Sequence, residues 1–144
     1  MEITNQPRLT FEGVDILEVN YSSKKRFSGK DEINVSCSPY AILPKDKKNT
    51  FYIIMDVKVS SDDYFDLSLK AIGMFKLSED INETLKKQLV NINAVAIMFP
   101  YVRAFISTFS ANTGSIIGSL TLPAQFFRGN LDIFNENNLE NRLD

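Results

Sequence analysis

The side chains able to do chemistry are few. The sequence holds one thiol, Cys37, and no histidine, beside 18 carboxylates and 16 lysines and arginines. Without histidine there is no imidazole general base and no Ser/His or Cys/His nucleophile pair. The commonest zinc ligand is missing too. One cysteine cannot form an intramolecular disulfide. No Gly-rich phosphate loop and no paired-cysteine motif occurs. Carboxylate-only or lysine-based chemistry remains open, but no stretch gathers such groups into a recognisable constellation. The expectation is a protein that binds rather than catalyses, without metal or cofactor.

A chain of 144 residues fits one domain, expected here over residues 1–144 with about 8–134 structured and 135–144 a polar, Asn-rich tail. A domain of this size buries roughly 70% of the surface its unfolded chain exposes, enough for one core without staples. The net charge of -2 and pI near 5.2 provide no field to attract nucleic acid. Met1 to Arg8 is polar and has no apolar signal core. No uninterrupted apolar run approaches the ~20 residues that span a bilayer. A cytoplasmic protein without membrane insertion is the expectation.

The elements that position these residues follow from hydrophobic period. Phe51, Ile53, Met55, Val57 and Val59 alternate, as do Phe65, Leu67, Leu69, Ala71, Gly73, Phe75 and Leu77. With Ser60-Ser61-Asp62-Asp63 between them, the two runs read as a hairpin. Ile33, Val35 and Cys37 alternate with Asn34 and Ser36 in an earlier strand, which continues past Pro39 to Leu43. Pro39 cannot donate to a ladder and marks an edge, a bulge or a break. Leu9 and Phe11 lead to Gly13, after which Val14 and Ile16 resume out of phase, so a bulge is expected at Gly13. Four strands on short links suggest an antiparallel meander.

The second half changes period. Leu85, Leu89 and Ile92 fit a short helix capped near Ser78 or Asn82. Met98, Val102, Phe105 and Phe109 fit a longer one with Pro100 in its first turn and Gly114 as its C-terminal stop. Phe126, Phe127, Leu131 and Phe134 have near-helical spacing. The expected class is α+β: a four-stranded antiparallel sheet, then a long helix and a short C-terminal helix. The long helix is apolar on more than one face, and a single sheet covers only one. Val102, Phe105, Ile106 and Phe109 are therefore expected at an oligomer interface, the alternative being that Tyr101 and Ile106 are scattered surface apolars.

The segment Ile97-Met98-Phe99-Pro100-Tyr101-Val102-Arg103 resembles the I-L-F-P-Y-x-R signature of the SecB protein-export chaperone family. Downstream, Leu122-Pro123-Ala124-Gln125-Phe126 is similar to that family's L-x-P-x-N-F, with the proline displaced and Gln in place of Asn. Glu32-Ile33-Asn34-Val35 opens the second strand as the family's own does, and the likeness runs from about Arg8 to about Phe134. The resemblance implies a homotetramer, a dimer of dimers, that holds unfolded or nascent polypeptide in apolar grooves without ATP. Carried onto this chain, the groove would use Ile33, Val35, Cys37, Tyr101, Phe126 and Leu131. Ordinary core packing is the competing role for each of them.

The resemblance leaves two functions open. One is a holdase, with delivery to the SecA motor as in export members. The other is an adaptor for one partner, such as an antitoxin in a toxin–antitoxin system. Export members present an acidic sheet face and a mobile tail. Here Lys58, Lys70 and Lys76 stand beside Asp56 and Asp66 on outward positions, which weighs against the export role.

Overall fold

A computed structural model of the chain describes residues 8–79, 81–123 and 131–135. Its strands are β1 (Leu9–Ser23), β2 (Asn34–Leu43), β3 (Thr50–Ser61), β4 (Phe65–Leu77) and β5 (Asp132–Asn135). They form one sheet in the order β1-β4-β3-β2-β5. The first four pair antiparallel, and β5 joins β2 in parallel.

The β3–β4 hairpin closes through Asp62, Asp63 and Tyr64, with Asp63 at φ 70 and the Tyr64 N–H bonded to the Ser61 carbonyl. Aspartate tolerates that left-handed geometry better than most residues, which is why it suits a three-residue turn. Gly13 sits at φ 126 at the expected break in the β1–β4 register. A second irregularity falls between Ile16 and Glu18, where the sequence carries no glycine signal.

The meander expectation is corrected by the strand order. β1 lies against β4 rather than β2. The chain must therefore travel from Ser23, beside Phe65, across the hairpin end to Asn34, beside Ser60. The loop between them is tied down along the way. The Lys24 N–H donates to the Tyr64 carbonyl and the Phe27 N–H to the Ile116 carbonyl. Arg26 Nη1 donates to the Ser115 carbonyl and hydroxyl, and Ser61 Oγ to the Glu32 carbonyl. The Phe27 ring meets Tyr64 and Phe65 edge-on.

One unbroken helical path follows. It consists of α1 (Glu83–Gln88), a wider π-type turn (Leu89–Asn93) and α2 (Ala94–Ala111). Asn82 caps its start, its Oδ1 accepting from the Leu85 N–H at 2.8 Å. Pro100 lies inside α2 rather than in a first turn. Its missing N–H deprives the Ala96 carbonyl of a helical partner. Ala96 and Pro100 are both exposed, so water can take the bond. The helix ends at Asn112, whose Nδ2 donates to the Thr108 carbonyl, and Gly114 at φ 101 comes two residues later.

Glu83–Ala111 is 29 residues long with mean hydropathy 1.6 over its most apolar stretch, enough by length and composition to cross a bilayer. That differs from the sequence expectation, which counted uninterrupted apolar runs and missed the fusion of two helices. Of that stretch, 44% is buried inside the chain's own fold.

The helix lies on the inner face of the sheet. Val90, Ala94, Met98, Val102 and Ile106 meet Ile53, Met55, Val57, Leu69, Ala71 and Phe75 in a continuous core. Contact is close at Gly73, where a Cβ would come within 2.7 Å of the Met98 sulfur. The link after the helix folds back, burying Ile117, Leu120 and Leu122. The other sheet face carries a smaller cluster: Tyr40, Ile42 and Ile54, with Tyr52, Ile72 and Phe134 packed against it.

The short C-terminal helix is corrected where the structure describes it. Asp132–Asn135 is the strand β5, with Tyr40 opposite Asp132 and Ile42 opposite Phe134. A three-four spacing of apolar residues suits a helix, but an open strand edge satisfies the same backbone through a ladder. Phe126 and Phe127 lie outside the described residues.

Candidate functional site

Binding to another polypeptide needs uncovered apolar area and backbone groups still able to bond. Among the described residues two surfaces qualify, on different elements.

The first is the opening half of β2. Its inner-face residues, Val35 and Cys37, are half-buried at the margin of the main core, and Ile33 just before them is 37% exposed. Asn34, Ser36 and Ser38 alternate with these and are exposed on the outer face. β2 pairs with β3 from Asn34 to Ile42 without a register break. Its other side is paired with β5 only from Tyr40 to Leu43. Among the described residues, nothing pairs with that side from Asn34 to Pro39. Pro39 thus stands where an open edge becomes a paired one. Burial, reinforced by the nearby Asp56 charge, pushes the Cys37 thiol up to about 11, so it is a poor nucleophile at neutral pH.

The second surface is the outward side of the helix. Ile92 and Tyr101 are 61% and 56% exposed, and Ile97 between them is also exposed. Ala96, Pro100, Ala104 and Thr108 complete the stripe, which carries no charge. Arg103, the only ionised group in α2, is turned to the side, where its Nε donates to the Leu122 carbonyl at 2.7 Å. Ser107 Oγ donates to the Leu120 carbonyl, and the Leu120 N–H donates to Ser110 Oγ. The arginine of the F-P-Y-x-R segment therefore pins the extended link to the helix.

The predicted site residues do not all converge. Ile33, Val35 and Cys37 share β2. Tyr101 packs on Phe11 of β1, ring centroids 5.0 Å apart, and two strands separate β1 from β2. Leu131 is buried in the main core, its N–H bonded to Asn91 Oδ1, and leaves little surface for a groove. Phe126 lies outside the described residues. Of the four residues expected at an interface, Val102 and Ile106 are 0% and 1% exposed within the chain's own core. They stand four residues apart on α2, in line with Met98, and share its core-facing side. Phe105 and Phe109 are half-buried, and Phe109 also touches Tyr21 of β1. Ile92, which periodicity placed on the apolar side of the short helix, is exposed, and so is Ile97, which periodicity did not single out.

An open depression of about 470 Å³ lies on the outer sheet face, lined by Glu18, Ser36, Ser38, Asp56, Lys58 and Lys70 among others. Its charges are mixed, in line with the alternation of Lys and Asp along β3 and β4. Among the described residues, no three potential metal ligands come together.

No protein-family model matches the sequence. An uncharacterized protein of Methanocaldococcus jannaschii is 35% identical over 91 residues, a match spanning 58% of this chain and 58% of that protein. Among solved structures, the Mycobacterium tuberculosis SecB-like chaperone Rv1957, in complex with a ChAD peptide from the Rv1956 HigA1 antitoxin, superposes with a TM-score of 0.65. The superposition covers 83% of this chain and 88% of that one at 11% identity. A Streptococcus agalactiae protein of unknown function gives a TM-score of 0.49 at 13% identity, covering 80% and 96%. A sheet with a single long helix across its inner face, at the first of these levels of superposition, makes this an α+β chain with a SecB-like fold.

Proposed function

We propose that the chain binds other polypeptides in extended form and does no chemistry on them. The observation that carries this is the uncharged, apolar surface left uncovered at Ile33, Val35 and Cys37 and along Ile92, Ile97 and Tyr101. Such surface captures many sequences through burial, at about 1.5–3 kcal/mol for each large side chain covered. It offers no converging polar groups of the kind a reaction needs.

In this reading Ile33, Val35 and Cys37 meet the bound polypeptide. The helix stripe meets a second copy of the chain, on the way to a tetramer. Holdase activity is the general form of the function. A dedicated adaptor is the second form, favoured by one finding: the similar M. tuberculosis chaperone was solved with a peptide from an antitoxin. The mixed charge of the outer sheet face, with Lys58 and Lys70 beside Asp56, fits a partner other than the SecA motor.

Client range tests the proposal. The purified chain should suppress aggregation of several unrelated chemically unfolded proteins at near-stoichiometric ratios. If it protects none and binds no unfolded chain, the reading fails; protection of one partner alone selects the adaptor. For self-assembly, the paired change Ile97→Glu and Tyr101→Glu should shift the sedimentation coefficient to that of a smaller species while leaving circular dichroism unchanged. Each new charge would have to be desolvated at the interface, at several kcal/mol.

A further inference from the structure

The link that follows α2 has the character of a bound polypeptide. Residues 112–123 carry no charged side chain. Over residues 119–123 burial alternates: Leu120 and Leu122 are buried, while Ser119, Thr121 and Pro123 are exposed. A strand packed on one side shows the same alternation, yet this stretch lies outside the sheet.

Its polar partners line one side of the helix. Arg103, Ser107 and Ser110 stand four and three residues apart, in one row along α2. Arg103 Nε donates to the Leu122 carbonyl at 2.7 Å and Ser107 Oγ to the Leu120 carbonyl at 2.8 Å. The Leu120 N–H donates to Ser110 Oγ at 2.8 Å. Upstream, the Ser115 and Ile116 carbonyls accept from Arg26 Nη1 and the Phe27 N–H. Each of these bonds ends on the main chain of the link. Its side-chain bonds, through the Ser115 and Ser119 hydroxyls, are exposed. Main-chain groups are common to every polypeptide, so the row holds the link without reading its sequence. The apolar part comes from Leu120 and Leu122, which enter the main core. Gly114 and Gly118, at φ 101 and 72, shape the path of the link, and a Cβ at either would meet nothing within 4 Å. They serve backbone conformation rather than packing.

We propose that residues 119–122 are a resident stand-in for the bound polypeptide. A client segment with apolar residues two apart displaces them, takes over the bonds of Arg103, Ser107 and Ser110, and fills the places of Leu120 and Leu122. The proposal rests on the polypeptide-binding reading above and adds its regulation. Exchange breaks and remakes bonds of the same kind, so it needs no source of energy. The link, held on the same chain, competes at a high effective concentration and keeps the core covered until a suitable segment arrives. A segment charged at the leucine positions would have to desolvate that charge, and the link would stay in place.

The test uses the full chain in a Cys37→Ser background and a permanently unfolded client, reduced and carboxymethylated lactalbumin, read by fluorescence anisotropy. Ser107→Cys and Ser119→Cys, both outside the core cluster, are joined by a reducible bifunctional maleimide to lock the link on the helix. Locking should weaken client binding about tenfold or more relative to the same variant before joining, and reduction should restore it. Gly118→Val, strained at φ 72, should instead raise affinity about fivefold by loosening the link. In that loosened chain Arg103→Leu should remove the gain, because the client needs the same guanidinium. A gain that came only from exposing the core would survive the change. A locked chain that binds like the unlocked one, or a gain indifferent to Arg103, overturns the proposal while polypeptide binding stands. If the parent itself binds no unfolded client, the functional reading falls and this inference with it.

Discussion

β1 and the first half of β2 both border the sheet, and they are built in opposite ways. β1 is interrupted twice, near Gly13 and between Ile16 and Glu18, and carries Glu12, Asp15 and Glu18 along its length. Glu12 is paired with Lys76 across to β4 at 3.2 Å. Asn34 to Ser38 of β2 has an unbroken register and no charge. Interruptions and charges stop a further strand from adding, whereas a flat neutral ladder invites one. The borders also differ in anchoring. Phe11 ties β1 into an aromatic row, in contact with Tyr101 at 5.0 Å and Phe75 at 5.2 Å, and Phe75 stacks on Phe51 at 5.1 Å. The open part of β2 offers only the half-buried Val35 and Cys37. Among the described residues no strand pairs with the outer side of β1 or with Asn34 to Pro39 of β2, so the two borders differ in charge, register and anchoring rather than in cover.

The largest expected effect tests the anchoring. Phe75 is fully buried at the centre of the aromatic row, so Phe75→Ala should cost about 3–5 kcal/mol. Hydrogen exchange should rise first in β1, whose Phe11 loses its support. By contrast Val35→Ala should cost under about 1.5 kcal/mol, since only part of the side chain is covered. Denaturant melts of the two variants give both figures, and equal losses would erase the contrast.

Next comes the bulge. A Cβ at Gly13 would meet nothing within 4 Å, so the penalty of Gly13→Val is purely conformational. At φ 126 that penalty is about 1–3 kcal/mol. The variant should melt earlier than the parent while protecting unfolded proteins from aggregation equally well. A change in that protection would show that the β1 border takes part in binding after all.

A smaller effect concerns pH at the open border. The Cys37 thiol rises from the usual 9.0 to about 11 because burial, and then the Asp56 charge, disfavour the thiolate. The folded state therefore keeps its proton to higher pH than the unfolded chain does. Stability from this group is complete below about pH 9 and declines as pH climbs through the interval to about 11. Comparing the parent with Cys37→Ser over that interval isolates the slope; a parent that loses no more stability than the variant would contradict it. The smallest expected change is Ser36→Lys, an exposed substitution whose stability, read from the same denaturant melts, should stay within about 0.5 kcal/mol of the parent.

Much of the fold was legible in the sequence because local rules govern it. Alternation located all four long strands. The phase slip located the bulge at Gly13, and the Asn82 cap opened the helix as its side-chain chemistry requires. The I-M-F-P-Y-V-R segment pointed to the SecB-like fold that the superposition bears out. The site was less legible. Val35 and Cys37 could be placed on one face of a strand, but period alone could not say how far that face is covered.

What the sequence determined by itself was therefore the set of elements, their inward faces and the poverty of reactive groups, since these depend on neighbours a few residues away. Only tertiary structure decided the rest. It set β1 beside β4, fused two helical runs into one path, and turned Val102 and Ile106 to the core while leaving Ile92 and Tyr101 outside. It also made a strand of Asp132–Asn135. Each of these depends on which distant segment satisfies a backbone edge or fills a cavity. Such contacts join residues far apart in the chain, so they leave no periodic mark along it.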